Sequence, residues 1–266
     1  MDLELQDKTA IVTGGSRGIG KAVARELALE GVDVAIVARG REALEAAAGE
    51  LASETGRRII PITADTGSDD SVREMVRQAA EALGRIDILV NSAAKPLGQG
   101  PVPRLAEITD QLFWDDVNVK VMGYLRCVRE VAPYMIRQGW GRIVNISGHA
   151  ARRTGSIIGS IRNVSVVAMT KNLAEELGPH GINVTVVHPG MTYTERIPDL
   201  IAERARKQGV APEVIEKQLA EGNLVRKLID AREVAYVVAF LASPKSIAIT
   251  GDVIAAGGGV GPFIYY

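Results

Sequence analysis

Residues 9–20 read TAIVTGGSRGIG, and the rest of the chain is best read outward from this stretch. Thr9–Thr13 is a short Val- and Ile-bearing run of buried-strand character. Gly14, Gly18 and Gly20 follow in a G-x-x-x-G-x-G spacing, and helical periodicity opens at Gly18. Glycine at these places permits a tight turn, close approach of the backbone to an anionic group and close packing of the next helix, whose N-terminus carries partial positive charge. Strand, glycine loop and helix in that order form a pyrophosphate cradle at the start of a βαβ unit. A glycine loop alone is only a strand-to-helix turn, so what flanks it decides the reading.

The flanks continue the alternation. Val32–Ala38, Arg58–Thr63, Ile86–Asn91, Arg142–Ser147 and Ile182–His188 are short Val/Ile-rich runs that read as buried parallel strands, with a last strand near Asp252–Ala256. Helical periodicity covers Gly18–Glu30, Glu42–Glu54, Asp70–Leu83, Gln111–Arg137, Ile157–Leu177 and Ala231–Leu241. This pattern predicts an α/β chain with a doubly wound Rossmann fold and a mostly parallel seven-stranded sheet. With no repeat, low-complexity tract or Pro/Ser linker, residues 1–266 read as a single domain. The charged segment Met191–Asn223, with Arg196, Arg204, Arg206 and Lys207, reads either as a mobile substrate lid or as an exposed helical hairpin.

Composition narrows the function classes. Lys plus Arg total 31 against 32 for Asp plus Glu, a net charge of -1 that offers no field for nucleic acid or anionic membrane. The single cysteine, Cys127, excludes an intramolecular disulfide, and three scattered histidines (His149, His180, His188) supply no zinc pattern. The acidic opening carries no basic leader, and no apolar stretch is long enough to cross a bilayer. The expectation is a cytoplasmic, metal-free protein acting on a small molecule.

With the glycine loop, four further segments resemble the short-chain dehydrogenase/reductase family: ITADT around Asp65, NSAA at Asn91–Ala94, PGMTYT at Pro189–Thr194 and the closing ITGDVIAAGGG. The resemblance runs from Lys8 to about Gly259. It implies a nicotinamide dinucleotide held by Gly14, Ser16, Arg17, Gly18, Ile19 and Gly20, with Asp65 against the adenine and Asn91 and Ala93 nearby. Pro189, Gly190, Thr192 and Thr194 would hold the carboxamide and phosphates. Asn118 falls where the family's helix-borne active-site asparagine belongs. The resemblance also implies a homotetramer or homodimer, with the helices Gln111–Arg137 and Ile157–Leu177 in one interface. An NAD-selective site places a carboxylate at the end of the second strand to bond the ribose 2′-hydroxyl. Here that strand ends in Ala38-Arg39, and Arg39 with Arg17 presents planar cations suited to a 2′-phosphate, which points to NADP(H).

The resemblance breaks at the family's YxxxK motif. Aligned backward from TKNLAEELG, Gly159 stands at the tyrosine position and Asn163 at the lysine position. Ser147 falls where the family's serine is expected, with Gly148 as the alternative register. His149 is a candidate acid or base, or else a surface-loop histidine. In NVKVMGY, Lys120 and Tyr124 lie four residues apart on one helix face and carry the missing chemistry in reverse order. A divergent branch of the family is similar, pairing K-V-x-G-Y with GxxxN. The expectation is that Lys120 reaches the space left at Gly159 and Asn163, with Tyr124 or water handling the proton. The alternative leaves Lys120 solvated and Tyr124 packed in a helix interface. Because Asn118 and Lys120 are two residues apart, a kink or bulge is required for both to line one site. Three functions remain open: an NADP(H)-dependent oxidoreductase on a carbonyl or alcohol, a non-redox enzyme on the same fold, and a catalytically silent NADP(H)-binding protein.

Overall fold

The computed structural model describes residues 1–94 and 102–261. Seven of its strands form one sheet: β1 (Thr9–Thr13), β2 (Asp33–Ala38), β3 (Ile59–Thr63), β4 (Ile88–Asn91), β5 (Gly141–Ile146), β6 (Ile182–Pro189) and, last in the chain, β9 (Val253–Ala256). Their order is β3-β2-β1-β4-β5-β6-β9, and every pairing is parallel. The sheet is thus wholly parallel where the sequence predicted a mostly parallel one. Parallel strands need crossover connections, and here helices supply them on both faces.

Side-chain alternation divides the core. Ala10 and Val12 of β1 point into a cluster completed by Val23 and Leu27 of α1 (Gly18–Leu29), Leu44 and Leu51 of α2 (Arg41–Thr55) and Val234 and Val238 of α9 (Ala231–Ala242). Ile11 points the other way, toward Val72 and Met75 of α3 (Asp69–Leu83), Val131 and Met135 of α5 (Gly123–Gln138) and Leu177 of α6 (Ile157–Leu177). Each fully buried Val, Leu or Ile contributes roughly 1.5–3 kcal/mol. Both strand faces are therefore apolar, which is why the strands read as near-continuous Val/Ile runs. Between β1 and β4 the strand order reverses, opening a crevice at their carboxyl ends where ligands of such sheets bind.

One expectation changes, and one pair of alternatives gains detail. The stretch Gln111–Arg137 is not one helix: α4 (Asp110–Val117) passes into a π-helical turn, Asn118–Met122, and only then into α5. The start of α5 lies hard against the loop after β3, since a Cβ on Gly123 would lie 3.0 Å from the carbonyl oxygen of Thr66. The segment Met191–Asn223 contains α7 (Ile197–Gln208) and α8 (Pro212–Ala220), packed together through Ile197, Ile201, Ala205 and Ile215. Two short strands, β7 (Thr192–Tyr193) and β8 (Ile229–Asp230), pair parallel and pin its entry to the chain just past its exit. Among the described residues no helix is long and apolar enough to cross a membrane.

Candidate active site

At the end of β1 the glycines do what their spacing requires. Gly14 has φ +70° and Gly18 φ +57°, and a Cβ on Gly20 would stand 2.3 Å from the Gly14 carbonyl oxygen. The loop is folded onto the first turn of α1 with no room for a side chain. Thr13 Oγ1 accepts from the main-chain N–H groups of Ser92 and Ala93 at 3.0 and 3.2 Å, joining the ends of β1 and β4. Helix α1 begins after Arg17 with no side-chain cap and no acidic residue in its first turn. Its Gly18 N–H instead donates to both carboxylate oxygens of Glu195, at 3.0 and 3.2 Å. A distant anion therefore sits on the positive end of α1, the position an anionic ligand would take. Thr194 Cγ2 lies 3.7 Å from a Cβ built on Gly18, and Thr192 Oγ1 donates to the Gly190 carbonyl at 3.2 Å, so the segment after Pro189 folds over the loop. A hollow of 310 Å³ lies beside it, lined by Gly18, Lys21, Tyr193, Thr194, Glu195 and Arg232 among others.

The other residues assigned to the cofactor divide. Arg17 and Arg39 are exposed beside the loop and in no ion pair with a described residue. Ser16 is half-buried in the loop, and Ile19 packs against the core below it. Asp65 is exposed, with Oδ1 accepting from Gly67 N–H at 2.9 Å. Asn91 departs from the expectation: fully buried, it donates from Nδ2 to Asn145 Oδ1 at 2.9 Å, and Asn145 in turn donates to Thr170 Oγ1. Its side chain links β4 to β5 inside the fold instead of facing the loop, because strand alternation turns it toward the core.

At the end of β5 the candidate side chains converge. Ser147, 6 % exposed, donates from Oγ to the main-chain and side-chain oxygens of Asn163, both at 3.1 Å. Asn163 Nδ2 donates to the Gly159 carbonyl at 2.7 Å, one turn earlier in α6. A Cβ on Gly148 would meet Asn163 Oδ1 at 3.6 Å, so both registers considered for the serine face Asn163. Gly159 is confined by the cap of α6: Ser156 Oγ accepts its N–H at 3.0 Å and would lie 2.8 Å from a Cβ there.

Lys120 and Tyr124 reach the same strand end. Lys120 Nζ donates to the Ser147 carbonyl at 3.1 Å, and Tyr124 Oη to the adjacent Ile146 carbonyl at 2.9 Å. Lys120 is 5 % exposed and therefore not solvated. Burial, reinforced by the Arg162 guanidinium and opposed by Asp116, brings its ammonium down to about 7. Tyr124 is 1 % exposed, packs on Val166 and Val186, and is held protonated well above the phenol range by burial. Its placement is that of the helix-interface alternative, with its proton committed to the main chain. Asn118 goes elsewhere: the π turn is present, but Asn118 Nδ2 donates to the Gly67 carbonyl at 3.1 Å, tying the helix to the loop after β3.

His149 is not a surface-loop residue. It is 7 % exposed, on a one-turn 3-10 helix after β5, with both ring nitrogens unpartnered among the described residues. His188 of β6, fully buried with its ring centroid 5.9 Å away, accepts Gly148 N–H on Nδ1 at 3.2 Å. Burial, then neighbouring positive charge, lowers both imidazoles, His188 to about 3. Sequence reading missed His188, Asp116, Arg162 and Glu195, because each acts through a partner remote in the chain. Among the described residues no group of acidic, His and Cys side chains is arranged to hold a metal ion.

The family model described as short chain dehydrogenase matches residues 8–205. The chain belongs to the short-chain dehydrogenase family. It is 35% identical over 256 residues to the short-chain reductase protein NovJ of Streptomyces niveus, covering 96% of this chain and 94% of that one. Among solved structures, L-sorbose reductase of Gluconobacter frateurii, complexed with NADPH and L-sorbose, is 26% identical with a TM-score of 0.93, covering 99% of this chain and 100% of that one. An NAD+-bound xylitol dehydrogenase is 28% identical with a TM-score of 0.86, covering 96% and 100% of the two chains. Within short-chain dehydrogenases the fold therefore carries both nucleotides, and selectivity is a matter of local side chains.

Proposed function

We propose that this short-chain dehydrogenase is an NADP(H)-dependent oxidoreductase of carbonyl and alcohol substrates, with Lys120 in the proton-handling role usual for the family's tyrosine. The observation that carries the reading is the start of α1, uncapped and already holding the Glu195 carboxylate as a stand-in anion, with Arg17 and Arg39 beside it. That donor set fits a pyrophosphate on the Gly14–Gly20 loop and a 2′-phosphate between two guanidiniums. The NADPH in the sorbose reductase complex supports the choice of nucleotide.

When bound, the nicotinamide supplies or accepts the hydride. The chain supplies the rest. Ser147 Oγ, fixed by Asn163, orients the substrate oxygen and stabilises its developing charge. Lys120 gives a proton from Nζ in the reductive direction and takes one in the oxidative direction, which an amine near 7 does at neutral pH. Thr192 and Thr194 carry the segment that closes over the loop, and α7 and α8 exclude water above it. His149 and His188 line the inner wall as neutral rings. The face of α4 and α6 that exposes Trp114, Ile157, Ile161 and Val164 forms the contact between subunits of a homo-oligomer, which light scattering on the purified chain tests.

Titration of the protein with NADPH and, separately, NADH by fluorescence tests the nucleotide. Preferential NADPH binding is the expected result; equal affinity, or none, overturns it. A second reading, proton chemistry without hydride transfer, is favoured by the unphenolic site at Gly159. Product formation with no change in nicotinamide absorbance would select it.

A further inference from the structure

Asp116 and Lys120 are four residues apart, a spacing at which an acid and a following base normally pair along an α-helix. Here they do not. The π turn starts at Asn118, with Gly123 N–H donating to the Asn118 carbonyl, and Lys120 within it reaches β5, where Nζ donates to the Ser147 carbonyl. Asp116 Oδ1 instead pairs with Arg162 Nη1, joining α4 to α6. Arg162 is 5 % exposed in its side chain, with Nε unpartnered among the described residues. It immediately precedes Asn163, which receives Ser147 Oγ, and the Ser147 carbonyl receives Lys120 Nζ. Two cations are thus drawn to either end of one serine–asparagine contact, and a single carboxylate is committed to the guanidinium.

We propose that the Asp116–Arg162 ion pair is a positioning device for Lys120: it withholds the carboxylate that would otherwise neutralise the amine and sets a positive charge beside it, so that Lys120 works as an unpaired base. The inference rests on the reading of Lys120 as the proton-handling group. The charged and titratable groups around Lys120 are Asp116 on α4, Arg162 on α6 and His188 on β6, with His149 and Arg152 beyond His188 and Tyr124 on the neighbouring Ile146 carbonyl. Tyr124 and both histidines stay uncharged near neutrality, and the guanidiniums of Arg152 and Arg153 act on the histidines, so the ion pair supplies the charges that act directly on Lys120. Buried pairs often contribute little net stability, so retention of one here is explained by what it does to its neighbour.

The test follows the titration of Lys120 itself. Its ε-methylene NMR resonance, assigned by its disappearance in Lys120→Met, is followed against pH in the whole protein and in Arg162→Met, Arg162→Lys and Asp116→Asn. In Arg162→Met the freed carboxylate turns to Lys120 and the midpoint rises by about one to three pH units. Arg162→Lys, which keeps the charge, brings it back toward the wild-type value, and Asp116→Asn lowers it. An unmoved midpoint in both Arg162→Met and Asp116→Asn overturns the proposal, and either variant alone suffices if the other does not fold. A midpoint that moves while the pH profile of NADPH oxidation stays put upholds the positioning role and refutes the catalytic assignment of Lys120, so the two failures are distinguishable.

Discussion

At the end of β1 the binding chemistry is carried by main chain within one turn of sequence: three glycines, a helix N-terminus and the N–H that takes Glu195. At the end of β5 it is carried by side chains from four elements, with Ser147 after the strand, Asn163 and Arg162 on α6, Asp116 on α4 and Lys120 on the π turn between helices. The first region tolerates few substitutions because Gly14 and Gly18 sit at positive φ and Gly20 has no room for a Cβ. The second carries Gly159 and Asn163 where the resemblance places the family's tyrosine and lysine, and a buried cation, Lys120, stands at the same strand end. A backbone site is fixed by local sterics, whereas a side-chain site depends on which residues neighbouring elements bring to it, here Lys120 from the π turn on the proposed reading.

The largest expected effect breaks the first region. Gly20→Val places a branched side chain where even a Cβ meets the Gly14 carbonyl oxygen at 2.3 Å, and NADPH binding measured by fluorescence is lost. Retained affinity would mean that the loop is not the nucleotide cradle. In the second region Ser147→Ala removes the hydroxyl proposed to orient the substrate oxygen. Turnover with a panel of ketoses, α-diketones and 3-ketoesters then falls about a hundredfold, with NADPH affinity little changed. A smaller effect separates the nucleotides: Arg39→Ala weakens NADPH about tenfold and leaves NADH as it was, since one charge-assisted contact is lost only to the 2′-phosphate. The smallest runs the other way. Glu195→Gln removes the carboxylate that rests on Gly18 N–H, and NADPH binds about two- to fivefold more tightly with faster association. Weaker binding in this variant would show that Glu195 helps to hold the nucleotide.

The same contrast explains what could be read from the chain. The alternation of Val/Ile runs with amphipathic stretches, and the glycine spacing after β1, are local signals, and they yielded the sheet, its helices and the loop. Lys120 and Tyr124 were legible as a pair because four-residue spacing is local, but the main-chain carbonyls that hold both of them lie at the end of β5, far off in sequence. The π turn was legible only as a need, since Asn118 and Lys120 cannot share a regular helix face. The close approach of Gly123 to Thr66 beside it is a contact across the fold. His149 misled because a histidine after a glycine reads as a loop tip, and only the packing of β6, with Gly257 close by, buries it. Arg162 carried no signal at all: a lone arginine in a helix reads as a solvated face until α4 is placed beside it.

The account turns on Lys120, and the most direct measurement is the pH dependence of single-turnover NADPH oxidation by the wild type and by Lys120→Met with one accepted ketone. In the reductive direction the amine must arrive protonated, so the wild-type rate falls as pH rises through about 7, the value to which burial brings Lys120, and the reverse oxidation rises over the same range. Lys120→Met loses roughly a hundredfold to ten-thousandfold in rate, the range of general acid-base catalysis, and its residual rate no longer responds to pH near neutrality. A Lys120→Met enzyme with the wild-type rate and the wild-type pH limb would contradict the account.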